Sequence, residues 1–183
     1  MKLSSSNTHK IKEFRDVLGD FLEIVHGEDL KEVDGTIDEV ITYKALHAGP
    51  GFVVEDTVLT VNGELWTDIR WRVKELKDND HAVWTVSLGY NDGENIKVYR
   101  GETEGFVKIP RVIPEDAFAF DPYFVPKGRS ENIYELMKMG LKHEYSARSK
   151  ALLNLKNNII HFDKTISEIP KWTGSWQNEE LTK

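Results

Sequence analysis

Two adjacent acids, Glu55 and Asp56, stand inside an otherwise apolar run, FVVEDTVLTV, at residues 52–61. Burying a carboxylate is costly unless it is paired or coordinates a metal. The two acids mark either a strand end that reaches water, or a divalent-cation ligand and general base. Side chains alternate along a strand, so the two leave by opposite faces. Lys44 is the second residue out of place. It follows Ile37 by seven residues and Val40 by four, and so continues the apolar stripe of a helix. Its stem can lie on that stripe while the ammonium snorkels to water, or the ammonium can point inward at a phosphate. Near the start, SSSNTHK, residues 4–10, sets hydroxyls, an amide and a lysine ahead of an amphipathic run. It reads either as a frayed terminus or as a loop that holds an anion.

Two later stretches add candidates. In FAFDPYF, residues 118–124, aromatic rings surround Asp121 and Pro122. Rings at this density either pack a core around an Asp-Pro turn or stack on a flat ligand beside an acid. In LKHEYSARSKALLNL, residues 141–155, Lys142, Arg148 and Lys150 cluster where a helix begins. A helix N-terminus already favours anions. Cations there gain nothing from the dipole, so they form a solvated face or meet a separate anionic partner.

The composition bounds what these residues can serve. The chain has 183 residues, 39% hydrophobic and 10% aromatic, enough for one domain or a domain with two lobes. Its net charge of -7 argues against a surface for duplex nucleic acid, which needs clustered Lys and Arg. A small polyphosphate needs only a few local cations. With no cysteine there is neither a disulfide framework nor a thiolate metal site. No apolar run approaches the ~20 residues of a membrane helix, and MKLSSSN has no apolar signal core. The expectation is a cytoplasmic protein without a membrane or nucleic-acid partner. The six histidines show no H-E-x-x-H spacing, and no Walker lysine motif or G-x-G-x-x-G is present.

The elements that must position these residues follow from periodicity. Ile11, Phe14, Val17 and Leu18 recur at helical spacing and Gly19 closes the run. FLEIV, 21–25, reads as a strand. Thr36 and Glu39 form a capping box ahead of a helix that buries Ile37, Val40, Ile41 and Ala45, and the GPG at 49–51 stops it. Residues 52–61 read as a strand interrupted at Glu55-Asp56, and 67–76 as a helix. HAVWTVSLGY and NIKVYRGETEGFV read as a hairpin around NDGEN. Residues 110–130 are Pro-rich and irregular, and 131–138 and 145–157 read as helices. This order predicts an α/β fold: a mixed twisted sheet with flanking helices, in two lobes with a central cleft.

Taken in order, these motifs resemble the inosine triphosphate pyrophosphatase family, over about Leu3 to Asn157. Ser5, Asn7 and Lys10 look like its N-terminal S/T-x-N-x-x-K phosphate loop. Glu32, in LKEVDG, matches a family acid that helps bind metal, and Lys44 its helix lysine. VEDT falls on the acidic strand end, and VYRGETEGFV is similar to the hairpin around R-G-x-x-x-G. FAFDPYFVPKG is similar to F-G-x-D-P-x-F-x-P-x-G, and KHEYSARSKALLNL to a K…S-H-R-x-x-A-L segment.

The resemblance implies hydrolysis of a non-canonical purine nucleoside triphosphate, such as ITP, dITP or XTP, to the monophosphate and pyrophosphate. It implies Mg²⁺ held by Glu32 and Asp56 with Glu55 beside them, and water activated by Asp56 or Glu55. Lys10 and Lys44 then neutralise the phosphates. Phe118 is expected to stack on the base, with Asp121, Lys142, Ser146 and Arg148 contacting the nucleoside. The family is also expected to dimerise.

Three departures shape the expectations. Ala147 stands where the family has histidine, which implies a looser or shifted base preference. NGELWTDIRW replaces a Gly-rich turn at the expected cleft mouth. Residues 158–183 extend past the family-like domain, 1–157, and carry Trp172 and Trp176. Those rings are expected to pack back on the domain. Other readings are a nucleotide-binding regulatory protein without turnover and an interaction module built on the tail.

Overall fold

In this computed structural model, residues 1–5, 7–27 and 30–177 are described. The strands form one mixed sheet in the order β2 (Glu23–Val25), β1 (Lys2–Ser4), β3 (Phe52–Val61), β5 (His81–Asn91), β6 (Asn95–Val107), β7 (Phe124–Pro126), with β4 (Glu64–Trp66) added on β3 and β8 (Phe162–Thr165) on β6. The chain divides into two compact units. Unit 1 holds Met1–Asp56, Ser87–Arg100 and the chain from Leu152 on, and unit 2 holds Thr57–Val86 and Gly101–Ala151. Strands β3 (Phe52–Val61), β5 (His81–Asn91) and β6 (Asn95–Val107) each contribute residues to both.

Unit 1 begins with β1 (Lys2–Ser4), α1 (Thr8–Leu18) and β2 (Glu23–Val25). β1 lies parallel to both β2 and β3. Helix α1 buries Phe14 and Leu18 on the predicted face. Helix α2 (Ile37–Ala48) starts at the predicted box: Thr36 N–H donates to Glu39 Oε2 at 2.8 Å, and Glu39 N–H to Thr36 Oγ1 at 3.3 Å. Ile41 and Ala45 form a core with Val54, Ile96 and Val98. Helix α2 crosses β5 so closely that a Cβ on Gly89 would stand 3.0 Å from the Ile41 carbonyl oxygen. Only a residue without a side chain lets the helix, and Lys44 with it, sit this near the sheet.

Unit 2 holds β4 (Glu64–Trp66), α3 (Ile69–Arg72), β7 (Phe124–Pro126), α4 (Ile133–Lys138), α5 (Lys142–Tyr145) and the start of α6 (Ala147–Lys156). Its aromatic centre is Trp84 edge-on to Phe120 and Phe124, with centroids 5.4 and 6.3 Å away. A Cβ on Gly101 would stand 2.1 Å from the Ala147 carbonyl oxygen, so this glycine sets how closely α6 approaches β6.

Four expectations are corrected. β3 runs unbroken through Glu55 and Asp56, because both acids find cationic partners without leaving the ladder. The expected strand at 21–25 starts only at Glu23, after a 3-10 turn at Gly19–Phe21. The expected helix at 67–76 is one turn, α3, followed by a 3-10 turn at Val73–Glu75. The Pro-rich segment contains β7, paired with β6.

Beyond α6, β8 (Phe162–Thr165) pairs antiparallel with β6 from Asn95 to Val98. Trp172 then packs edge-on against Tyr43 at 5.2 Å, and Trp176 stacks on His47 at 5.5 Å. The tail rings pack back on unit 1, as the sequence led us to expect. No helix among the described residues is long and apolar enough to cross a membrane.

Candidate active site

In unit 1 the turn from β1 into α1 shapes the serine-rich segment. Ser5 N–H donates to the Val25 carbonyl at 3.2 Å, and Ser5 Oγ accepts from Asn7 N–H at 3.2 Å. Asn7 Oδ1 caps the helix by accepting from His9 and Lys10 N–H, at 3.1 and 3.2 Å. Such a cap stabilises a helix by ~1 kcal/mol. Asn7 thus commits its oxygen to the helix, and its amide nitrogen is the group it can offer an anion. The cap also fixes Lys10 in the first turn.

Lys10 Nζ lies 2.5 Å from Glu55 Oε2, whose side chain is only 3% exposed. From α2, Lys44 Nζ donates to Glu32 Oε1 and lies 3.5 Å from Asp56 Oδ1. Consecutive residues of β3 therefore each meet a lysine from a different helix. Three carboxylates face two ammonium groups, which leaves one negative charge in surplus.

Proton affinities follow that imbalance. Burial raises the pKa of Asp56, and the charges of Glu32 and Glu55 add to it, outweighing Lys44 and Lys10. Burial works against the charge on Lys44, but Asp56, then Glu32 and Glu55, hold its proton on and its pKa is raised. Both shifts are upward: three acids hold the proton on Lys44, while burial and two neighbouring acids favour protonated Asp56.

The expected metal ligands are thus brought together, but in a particular way. Glu32 and Asp56 share Lys44, while Glu55 is taken by Lys10. Among the described residues no three acids or histidines form a set that could hold an ion unaided.

The expected base-binding residues fall in unit 2. Asp121 N–H donates to the Phe118 carbonyl at 3.0 Å, across Ala119 at φ +47°. This turn sends Phe120 into the core and leaves Phe118 half-buried. Asp121 is buried and accepts from Lys142 Nζ at 2.8 Å. Ser146 N–H donates to the Lys142 carbonyl at 2.8 Å, and Ser146 Oγ accepts from Ser149 N–H at 3.2 Å, which joins α5 to α6. Arg148, 3% exposed, donates to Thr57 Oγ1 at 3.3 Å and lies over the Trp84 ring at 5.7 Å.

Sequence reasoning missed Trp84 and Thr57 as supports of Arg148. Trp84 reads there as one more apolar strand position. Thr57 sits in the E-D-T that was quoted, and it drew no role because the acids beside it carried the argument.

Residues 1–65 and 63–158 match the model of the Ham1 family. A protein named inosine triphosphate pyrophosphatase from Batrachochytrium dendrobatidis is 28% identical over 173 residues, covering 83% of this chain and 90% of that one. One of the same name from Schizosaccharomyces pombe is 28% identical over 171 residues, covering 80% and 89%. Among solved structures, the Staphylococcus aureus Ham1 protein superposes with a TM-score of 0.61 at 19% identity, over 87% of this chain and 98% of that one. A HAM1 protein from Coxiella burnetii gives 0.62 at 22% identity, over 86% and 96%. These two support the fold.

Proposed function

Starting from a chain that belongs to the Ham1 family, we propose that it is a nucleoside triphosphate pyrophosphatase, a hydrolase of nucleotide metabolism. It cleaves a non-canonical purine nucleoside triphosphate such as ITP, dITP or XTP to the monophosphate and pyrophosphate. The names of the two relatives support the activity. The observation that carries the mechanism is the cluster of Lys10, Glu32, Lys44, Glu55 and Asp56 within unit 1.

In this reading Lys10 and Lys44 neutralise a triphosphate that no unassisted oxygen nucleophile approaches readily. The Ser5 hydroxyl and the Asn7 side-chain amide add to that grip. Asp56 orients a water and takes its proton as the oxygen attacks the α-phosphorus, and pyrophosphate leaves.

The donor set fits a hard divalent cation. Two carboxylates converge on one ammonium, with negative charge in surplus, and Mg²⁺ commonly uses one or two carboxylates plus substrate phosphates. Glu32 and Asp56 would hold it, with Glu55 beside Asp56, and it would supply charge neutralisation on the phosphate oxygens.

Unit 2 carries the residues this reading assigns to a nucleoside base. Phe118 offers a face for stacking, and Asp121, Lys142, Ser146 and Arg148 read the base edge. A site that hydrogen-bonds one edge rejects other bases because its buried polar groups stay unpaired. Ala147 offers no such group, so the base preference is broader than strict inosine and xanthosine. The same reading expects a homodimer, which sedimentation of the full chain tests.

The deciding experiment is a panel of nucleoside triphosphates at fixed Mg²⁺ with pyrophosphate detection. Release from ITP and XTP, with detectable release from at least one further base, supports the proposal. Tight nucleotide binding with no pyrophosphate from any substrate identifies a regulatory nucleotide-binding protein instead.

A further inference from the structure

Glu32 lies in a segment, 30–35, that belongs to no helix or named strand of the structure. Its order comes from the far end of the chain. Gln177 N–H donates to the Glu32 carbonyl at 2.9 Å, and Gln177 Nε2 donates to the Val33 carbonyl at 3.0 Å. Val33 and Trp176 form an isolated antiparallel bridge. Asp34 N–H donates to the Ser175 carbonyl at 3.0 Å, and Ser175 Oγ donates to Asp34 Oδ2 at 3.0 Å. Lys31 lies over the Trp176 ring, and a Cβ on Gly35 would stand 3.0 Å from Trp172. Each residue from Lys31 to Gly35 thus meets the tail.

The tail also grips the helix that carries Lys44. Tyr43 OH donates to the Pro170 carbonyl at 2.7 Å, while Trp172 packs on Tyr43 and Trp176 on His47. Val33, 1% exposed, fills the space between tail and helix in a cluster with Val40, Tyr43, Ile169, Trp172 and Trp176. The tail's root is held by β8 on β6. The strap therefore binds the Glu32 segment and the Lys44 helix at once.

The geometry points to residues Trp172–Gln177 as positioning residues of the active site, a strap that sets the Glu32 carboxylate against Lys44 and so completes the cation-binding pair. This rests on the functional reading above. The strap touches no reacting atom and acts through the backbone of Glu32. Outer-shell partners of this kind are typically worth about 10–100-fold in metal affinity or activity.

Mn²⁺, titrated into the full chain with a saturating ITP analogue that carries a methylene group between its α- and β-phosphorus and followed by electron paramagnetic resonance, reads the cation site without turnover. The variants are Trp176→Ala, Trp176→Phe, Gln177→Pro and Glu32→Gln, each with a melting curve and with kcat and KM at saturating Mg²⁺. Gln177→Pro removes one N–H from a half-buried position and serves if Trp176→Ala does not fold. The strap predicts Mn²⁺ affinity weakened about tenfold or more in Trp176→Ala and Gln177→Pro. It also predicts a lower kcat, a nucleotide KM within about twofold of wild type, and recovery in Trp176→Phe, which keeps a ring on His47. Folded strap variants that bind Mn²⁺ as wild type does, while Glu32→Gln does not, overturn the strap and leave the site reading standing. Undiminished Mn²⁺ binding by Glu32→Gln overturns the site reading itself and the strap with it.

Discussion

Lys44 Nζ lies 3.5 Å from Asp56 Oδ1, and the same ammonium is hydrogen-bonded to Glu32. One amine thus stands between the two acids that, in the proposed function, would hold a divalent cation, and a polyphosphate that drew the ammonium away would leave both carboxylates to it.

Asp56→Asn tests the base. A general base typically contributes 10²–10⁴-fold, so kcat should fall by about that factor while nucleotide KM changes little. Stability should move the other way. The folded chain holds the Asp56 proton more tightly than the unfolded chain does, because its pKa is raised. The stability it contributes is therefore present below the ordinary carboxylate range and lost as pH rises through the raised titration. In metal-free buffer, wild type should lose melting temperature on crossing that range upward, and Asp56→Asn should lose less.

Glu55, 3% exposed, pairs with Lys10. Lys10→Met strips a nearly fully buried carboxylate of its cation, and removing one partner of a buried pair costs about 3 kcal/mol or more. Lys10→Met with Glu55→Gln should regain most of that stability in urea denaturation yet stay inactive, because the phosphate-binding charge is gone. Equal instability of the single and double variants would show that the pair does not act as a unit.

Arg148→Lys keeps the charge but loses the planar group over Trp84 and the fork that reaches Thr57. Nucleotide KM should rise about tenfold, the scale of one charge-assisted hydrogen bond. Discrimination among bases should narrow while kcat holds. The nucleotide panel run on this variant checks it.

Gly101→Ala would set a methyl group against the Ala147 carbonyl oxygen at 2.1 Å and the Ala151 nitrogen at 2.5 Å. Both are backbone atoms and cannot swing aside. The expected loss is about 1–3 kcal/mol, as for other overpacked sites, read from the denaturation midpoint.

Helix α2 was legible because three local signals agree on it: a capping box, an apolar stripe and a GPG stop. β1, β7 and β8 were not. Lys2–Ser4 is too short to show alternation, Phe124–Pro126 lies in a Pro-rich stretch, and Phe162–Thr165 has one apolar residue, so each exists only through its partner strand. At the site, Glu55, Asp56 and Lys44 stood out as charges in apolar patterns. The pairings did not, since Lys10 with Glu55 and Gln177 with Glu32 are contacts distant in sequence that carry no periodic trace. Asn7 drew attention as a phosphate ligand, and its cap on α1 is the role the geometry makes visible.

The central claim is attack of water on the α-phosphorus by a site built from Asp56, Glu32 and the two lysines. Turnover of ITP in water enriched in heavy oxygen, followed by mass spectrometry of both products, tests it most directly. The account predicts the label in inosine monophosphate and none in pyrophosphate. Label in pyrophosphate, or release of orthophosphate with the diphosphate nucleoside, would contradict it.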